Sequence, residues 1–297
     1  MYILTKDIRN EFIAGLHPSY AKSLPRMSLA GGQGIMFAAK ELYLSGTPFH
    51  NRGEGRQRRM NDPVALESVL YPLCEKILRY FFVDPTPSSQ AAFDKFHDEL
   101  CVMFLDGFRA AGYTHTYGNA QKFINILFKY LSCFEDAELY FEEKFKYCHM
   151  AIDRYTYNGY RLPFYRNVVY PSIYGHSPKA LTAWSQLTKT EYLNLRNDIV
   201  KYISGAPKTY NEYLRICHLL SVFTRVPFLT DDYVVTPFEA EFFLWTIAKC
   251  CEKKNENDTY VYNSEFVRKI QKMLWLFEEG YKWENRIIKA KNCRDLQ

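Results

Sequence analysis

The segment YGNAQKFINILFKYLSCFED, residues 117–136, decides how the chain is read. Phe123, Ile124, Ile126, Leu127 and Phe128 predict a helix over 119–134. Polar Gln121, Lys122, Asn125 and Lys129 are set among them. On a helix Lys122, Asn125 and Lys129 fall on one side, at i, i+3 and i+7. Such a stripe either meets Asp153 or faces a ligand.

Asp153 belongs to a second stretch, KYCHMAIDRYTYNGYR, residues 146–161, which places Cys148, His149 and Asp153 within six positions. A helix over 138–148 is expected to lead into it. Helical neighbours at i and i+1 point about 100° apart, so Cys148 and His149 do not form a thiolate–imidazolium pair on a helix. His149 and Asp153, at i and i+4, can meet, as a base meets its orienting carboxylate. No nucleophile follows within local reach, so the expected role is a structural pair at a helix junction. An enzyme centred on Lys122, His149 and Asp153 is the alternative, with activity following histidine protonation.

Composition bounds the rest. The 297 residues suit one large domain or two ordinary ones and can bury a core without disulfides or metals. Aromatics reach 17%, with 24 Tyr and 22 Phe, which suits a packed core with amphipathic, partner-anchoring surface. The net charge of +5 is milder than a dedicated nucleic-acid domain usually carries. The eight cysteines sit mostly in helical patterns and no export signal is visible, so free thiols in a reducing cytoplasm are expected. No apolar run approaches the length of a membrane span.

Helical signals dominate, so the fold class is mainly α: a multi-helix globular protein with at most a small β hairpin. Asp62-Pro63 opens a helix to about residue 82, which Pro72 should kink or split. Ser88 or Ser89 caps another that runs to Ala111, with Gly112 just beyond. Thr188/Glu191, Thr209/Glu212 and Thr236/Glu239 match the capping box. A long last helix is expected over 264–291, and strand-like runs at 225–235 and 259–263. The chain thus divides into an N-terminal helical region, 1–160, an ordered Pro/Tyr-rich connector, 161–180, and a C-terminal helical region, 181–297.

Other constellations are thin. His97 and Cys101 share a helix face, but zinc needs two further ligands, so no metal and no cofactor is assigned. Gly31, Gly32 and Gly34 precede a helix and could hold an anion, yet they fit no phosphate-binding motif; a hinge-like helix start is the expectation. The sharpest charge feature is the loop HNRGEGRQRRMND, 50–62. Its Arg52, Arg56, Arg58 and Arg59 offer bidentate contacts to phosphate or carboxylate. Either it grips nucleic acid or an acidic protein surface, or it is a solvated loop. Lys282, Arg286, Lys289, Lys291 and Arg294 complement the dipole of the last helix.

Gly118, Ala120, Gln121, Lys122, Asn125, Lys129 and Tyr130, followed by Cys148, His149 and Asp153, resemble an uncharacterised family of bacteria and temperate phages. Its pattern is roughly G-x-A-Q-K-x-x-N-x-x-x-K-Y, then C-H-x-x-x-D. The match spans about 45 residues and implies no activity. In length and aromatic, helical character the chain also looks like a phage anti-defence protein of the Gabija-inhibitor type. That resemblance implies a non-enzymatic protein that assembles around a host nuclease complex and blocks its DNA binding or cleavage. The expectation is therefore an oligomeric interaction protein in the host cytoplasm, with Arg52, Arg56, Arg58 and Arg59 as partner-binding residues. Lys122, Asn125, Lys129, His149 and Asp153 form a possible polar site, and no catalytic residue is assigned. The alternative is a nucleic-acid-binding protein that uses the same loop and the Lys122/Lys129 stripe.

Overall fold

The computed structural model describes residues 9, 22–46, 60–153, 184–204, 236, 238, 239, 241, 242, 251–253 and 260–262; of 198–204 and the last two segments it describes the backbone alone. Five α-helices occur among them: α1 (Gln33–Leu44), α2 (Pro63–Phe82), α3 (Gln90–Ala110), α4 (Tyr117–Leu131) and α5 (Lys189–Ser204). Two short strands, β1 (Cys251–Lys253) and β2 (Tyr260–Tyr262), pair antiparallel. The fold is mainly α.

The helix starts follow from local chemistry. The Asp62 carboxylate accepts from the Val64 and Ala65 N–H groups, and Pro63 follows as N1. Ser89 caps α3 through the Ala92 N–H. Gly112, at φ 83°, closes it in the left-handed region, where a glycine avoids Cβ strain. Thr116 and Asn119 cap α4 reciprocally, a box the sequence reading missed because Asn stands where Glu or Gln is usual. The Thr188/Glu191 and Thr236/Glu239 boxes are made.

Two expectations change and one narrows. Of the two outcomes open at Pro72, splitting does not occur: α2 is continuous, with Pro72 on its exposed side. The helix expected over 138–148 is instead two 3₁₀ turns, Ala137–Tyr140 and Phe145–Tyr147. Tertiary contacts override helical periodicity there: Tyr80 donates to the Lys144 carbonyl, Lys144 Nζ to the Asp84 carbonyl, and Phe141 and Phe145 turn into the core. Helix α4 also starts and stops earlier than 119–134. Thr209/Glu212, the 161–180 connector, the run at 225–235 and the helix at 264–291 lie outside the described residues.

Helix α4 sits at the centre. It packs against α1, α3, α5 and the Trp184–Gln186 turn, and all its residues are buried. Gly118 permits the last of these contacts. A Cβ there would collide with the Trp184 carbonyl oxygen, while its N–H donates to the Leu187 carbonyl at 3.0 Å. On one flank of α4, Phe128 meets an aromatic cluster of Tyr80, Phe81, Phe93 and Phe145. Further along, Phe123 packs on Phe104, and Tyr43 stacks on Phe108 with centroids 4.6 Å apart.

Candidate functional site

A helix buried all round must satisfy its polar side chains from its neighbours, because water cannot. Those on α4 are met by three elements at once. Gln121 is fixed by the backbone: Nε2 donates to the carbonyls of Gly118 and Ile152, and Oε1 accepts from the Ile152 N–H. Its Oε1 and the Met150 carbonyl therefore face the Nδ2 of Asn125, each at 3.2 Å. Asn125 Oδ1 then faces His97 Nε2 at 2.9 Å, so that nitrogen carries the proton. The remaining His97 nitrogen, Nδ1, accepts from the Cys101 thiol at 3.8 Å.

The chain of hydrogen bonds continues outward. Asn125 Nδ2 also donates to the Tyr192 hydroxyl at 3.2 Å, which stands 2.9 Å from His149 Nδ1. His149 Nε2 lies 2.9 Å from Asp94 Oδ1 and donates to the carboxylate. A neutral imidazole with a proton on Nε2 accepts at Nδ1, so the Tyr192 O–H is the donor there. Arg196 closes the far end with two bonds to Asp94, both 2.7 Å, and Gln90 adds a third donor. Each bond from Tyr192 to Asp94 thus has a defined direction, while the two Asn125 N–H groups are shared among Gln121, Met150 and Tyr192.

Electrostatics agrees with this assignment. Burial drives the His97 imidazole well below its ordinary value, and the charge of Arg196 adds to it. Burial also lowers His149, with Arg196 on the same side and the Asp94 hydrogen bond opposing. Burial works to raise the Asp94 carboxyl, but the hydrogen bonds from His149 and Gln90 and the charge of Arg196 leave it below the ordinary value. Both imidazoles are neutral and Asp94 is ionised at neutral pH.

The residues singled out from sequence are dispersed among different partners. His149 takes its carboxylate from Asp94 on α3, where Asp153 had been expected; the segment at 148–153 is irregular rather than helical, which removes the i, i+4 geometry. Asp153 instead lies 3.7 Å from Lys122, whose ammonium sits 4.2 Å from the Trp184 ring centroid. The stripe therefore does meet Asp153, through its first residue. Lys129 pairs with Glu241 at 2.8 Å, both almost fully buried, and the other Glu241 oxygen accepts from the Ala151 N–H. Burial lowers Lys129 and raises Glu241, and their mutual attraction opposes both. Cys148 donates to the Lys144 carbonyl and is raised well above the ordinary thiol value by burial, the reverse of an activated nucleophile.

Sequence reasoning missed Asp94, Tyr192 and Arg196. One signal was available: Asp94, His97 and Cys101 share a face of α3 with Phe93 and Phe104 nearby, and a carboxylate on an apolar face needs a partner. Nothing local to Tyr192 or Arg196 pointed to them. Among the described residues no group of three His, Cys, Asp or Glu side chains is placed to hold a metal ion, and no helix is long and apolar enough to cross a membrane. The residues just ahead of the glycines, rather than Gly31, Gly32 and Gly34 themselves, hold a carboxylate of the protein's own. Asp136 accepts from Ser28 Oγ at 2.6 Å and from the Leu29 and Ala30 N–H groups. Arg52, Arg56, Arg58 and Arg59 lie outside the described residues. No protein-family model, curated protein or solved structure matches the chain.

Proposed function

We propose that the chain is a non-enzymatic protein-interaction module of the phage anti-defence kind, a homo-oligomer in the host cytoplasm that binds a host nuclease complex and blocks it. One observation carries this reading. The side chains best suited to chemistry, His97, His149, Asp94 and Tyr192, are engaged with one another and with Asn125 and Arg196 in joining α3, α4 and α5. Function then falls to the surface. Helix α2 exposes Val64 and Tyr71, two turns apart on one face, immediately after the arginine-rich loop 50–62. Exposed aromatic and arginine side chains are the common anchors of protein interfaces. The mechanism is steric and electrostatic masking, with the loop occupying an acidic or phosphate-contacting site on the partner.

The test is a DNA-cleavage assay with a purified Gabija-type nuclease complex, read beside size-exclusion of the mixture. Co-elution with loss of cleavage is expected, weakened when Arg52, Arg56, Arg58 and Arg59 are all changed to Ala. Lack of both co-elution and inhibition overturns the reading. Binding of free DNA with steep salt dependence would replace it with a nucleic-acid-binding protein.

A second reading is favoured by the line of carboxylate, imidazole and hydroxyl at Asp94, His149 and Tyr192, an order that enzymes use to activate an oxygen nucleophile. It requires α5 to move, because the Tyr192 hydroxyl is buried. Turnover lost on changing His149 or Tyr192, with folding retained, would establish it.

A further inference from the structure

Helix α5 is joined to the rest of the described structure by Tyr192 and Leu195, which are buried in the core, and by a set of polar contacts. Tyr192 and Arg196 reach into the cluster, and Lys189 pairs with Asp98 at the exposed margin. Protonation has a specific consequence at one link. His149 Nδ1 is the sole acceptor on the line for the Tyr192 proton. A proton on Nδ1 turns that acceptor into a donor, so Tyr192 would face donors from both His149 and Asn125.

We propose that Asp94, His149 and Tyr192 form an acid-sensitive latch, and that proton uptake by His149 frees α5 while α1–α4 stay assembled. The groups facing His149 are these. From α3, Asp94 favours the charged imidazole and the His97 ring, with centroids 4.3 Å apart, disfavours it once itself protonated. From α5, Arg196 opposes it and Tyr192 loses its acceptor. From α4, the neutral Asn125 stands behind Tyr192 with its orientation fixed by Gln121. Reorienting Asn125 to receive the Tyr192 proton would break its bonds to Gln121, Met150 and His97 together. The line therefore does not reverse piecemeal.

In the released state burial no longer holds the imidazole down, so opening should grow as pH falls, by up to about tenfold per pH unit for the one proton taken up. The test is hydrogen exchange of the full chain, read by mass spectrometry between about pH 7.5 and about pH 5 and corrected for intrinsic rates. Protection of 189–204 should lie below that of 117–131 throughout and fall with pH, while 117–131 stays protected by the larger free energy of global opening. His149→Asn, which keeps an acceptor for Tyr192 but cannot titrate, should flatten the profile; His149→Gln serves if that variant does not fold. A flat wild-type profile at 189–204, equal protection in the two segments, or an unchanged slope in the variant overturns the latch.

Discussion

The two flanks of α4 are equally buried and differently built. On one, Phe128 meets Tyr80, Phe81, Phe93 and Phe145, whose contacts are non-directional. On the other, Gln121 and Asn125 meet His97, His149 and Tyr192 through bonds whose donors and acceptors are each fixed by the next. The aromatic flank supplies most of the stabilisation, because area removed from water scales the hydrophobic term. The polar flank supplies register: it accepts α3, α5 and the 148–153 segment in one arrangement. Its failure mode also differs. An apolar contact degrades gradually, whereas removing one polar member leaves several buried groups without partners.

The largest contrast should come from Asn125→Leu. It keeps the branched shape, though with more bulk, leaves the His97 proton and the Met150 carbonyl without partners, and takes from Tyr192 a donor. Urea unfolding should show a loss of about 3–5 kcal/mol. On the aromatic flank Phe93→Leu should cost only about 1–2 kcal/mol, because part of the space is refilled. A loss at Phe93 equal to that at Asn125 would erase the distinction between the flanks.

Acid should separate the flanks next. Burial depresses His97 and His149, and lowers His115 to about 4. A histidine depressed in the folded state contributes stability that is present above about pH 6.5 and lost as pH falls towards its folded value, at up to about 1.4 kcal/mol per pH unit. Glu241, raised by burial, works against this trend. Chemical denaturation at a series of pH values should therefore show stability falling below about pH 6.5; constant stability down to pH 5 would mean the imidazoles are not held neutral. The smallest effect belongs to the surface. Lys40→Ala removes an exposed 2.7 Å pair with Glu67 and should cost under about 0.5 kcal/mol by the same assay.

What the sequence made legible follows the same division. Helices α2 and α3 were visible because their signals are local: Asp62-Pro63 and Ser89 at the starts, Gly112 at one end. The position of α4 was not. Gln121, Lys122, Asn125 and Lys129 read as a ligand-facing stripe as readily as one that meets Asp153, and only partners far along the chain decide between them. The 3₁₀ turns around Phe141 and Phe145 escaped for a related reason, since their backbone is set by Tyr80 and Asp84. His149 was found correctly as a residue with a carboxylate partner, but assigned the wrong one, because the i, i+4 rule holds only where the helix exists.

The central claim is that the polar flank is one directed line of hydrogen bonds through two neutral histidines. Long-range ¹H–¹⁵N correlation of the imidazole nitrogens in the full chain, at about pH 7.5, tests it most directly. The account predicts that His97 and His149 both carry a single proton, on Nε2, with Nδ1 unprotonated. A proton on Nδ1 of either ring, or a doubly protonated His149 at that pH, would contradict it.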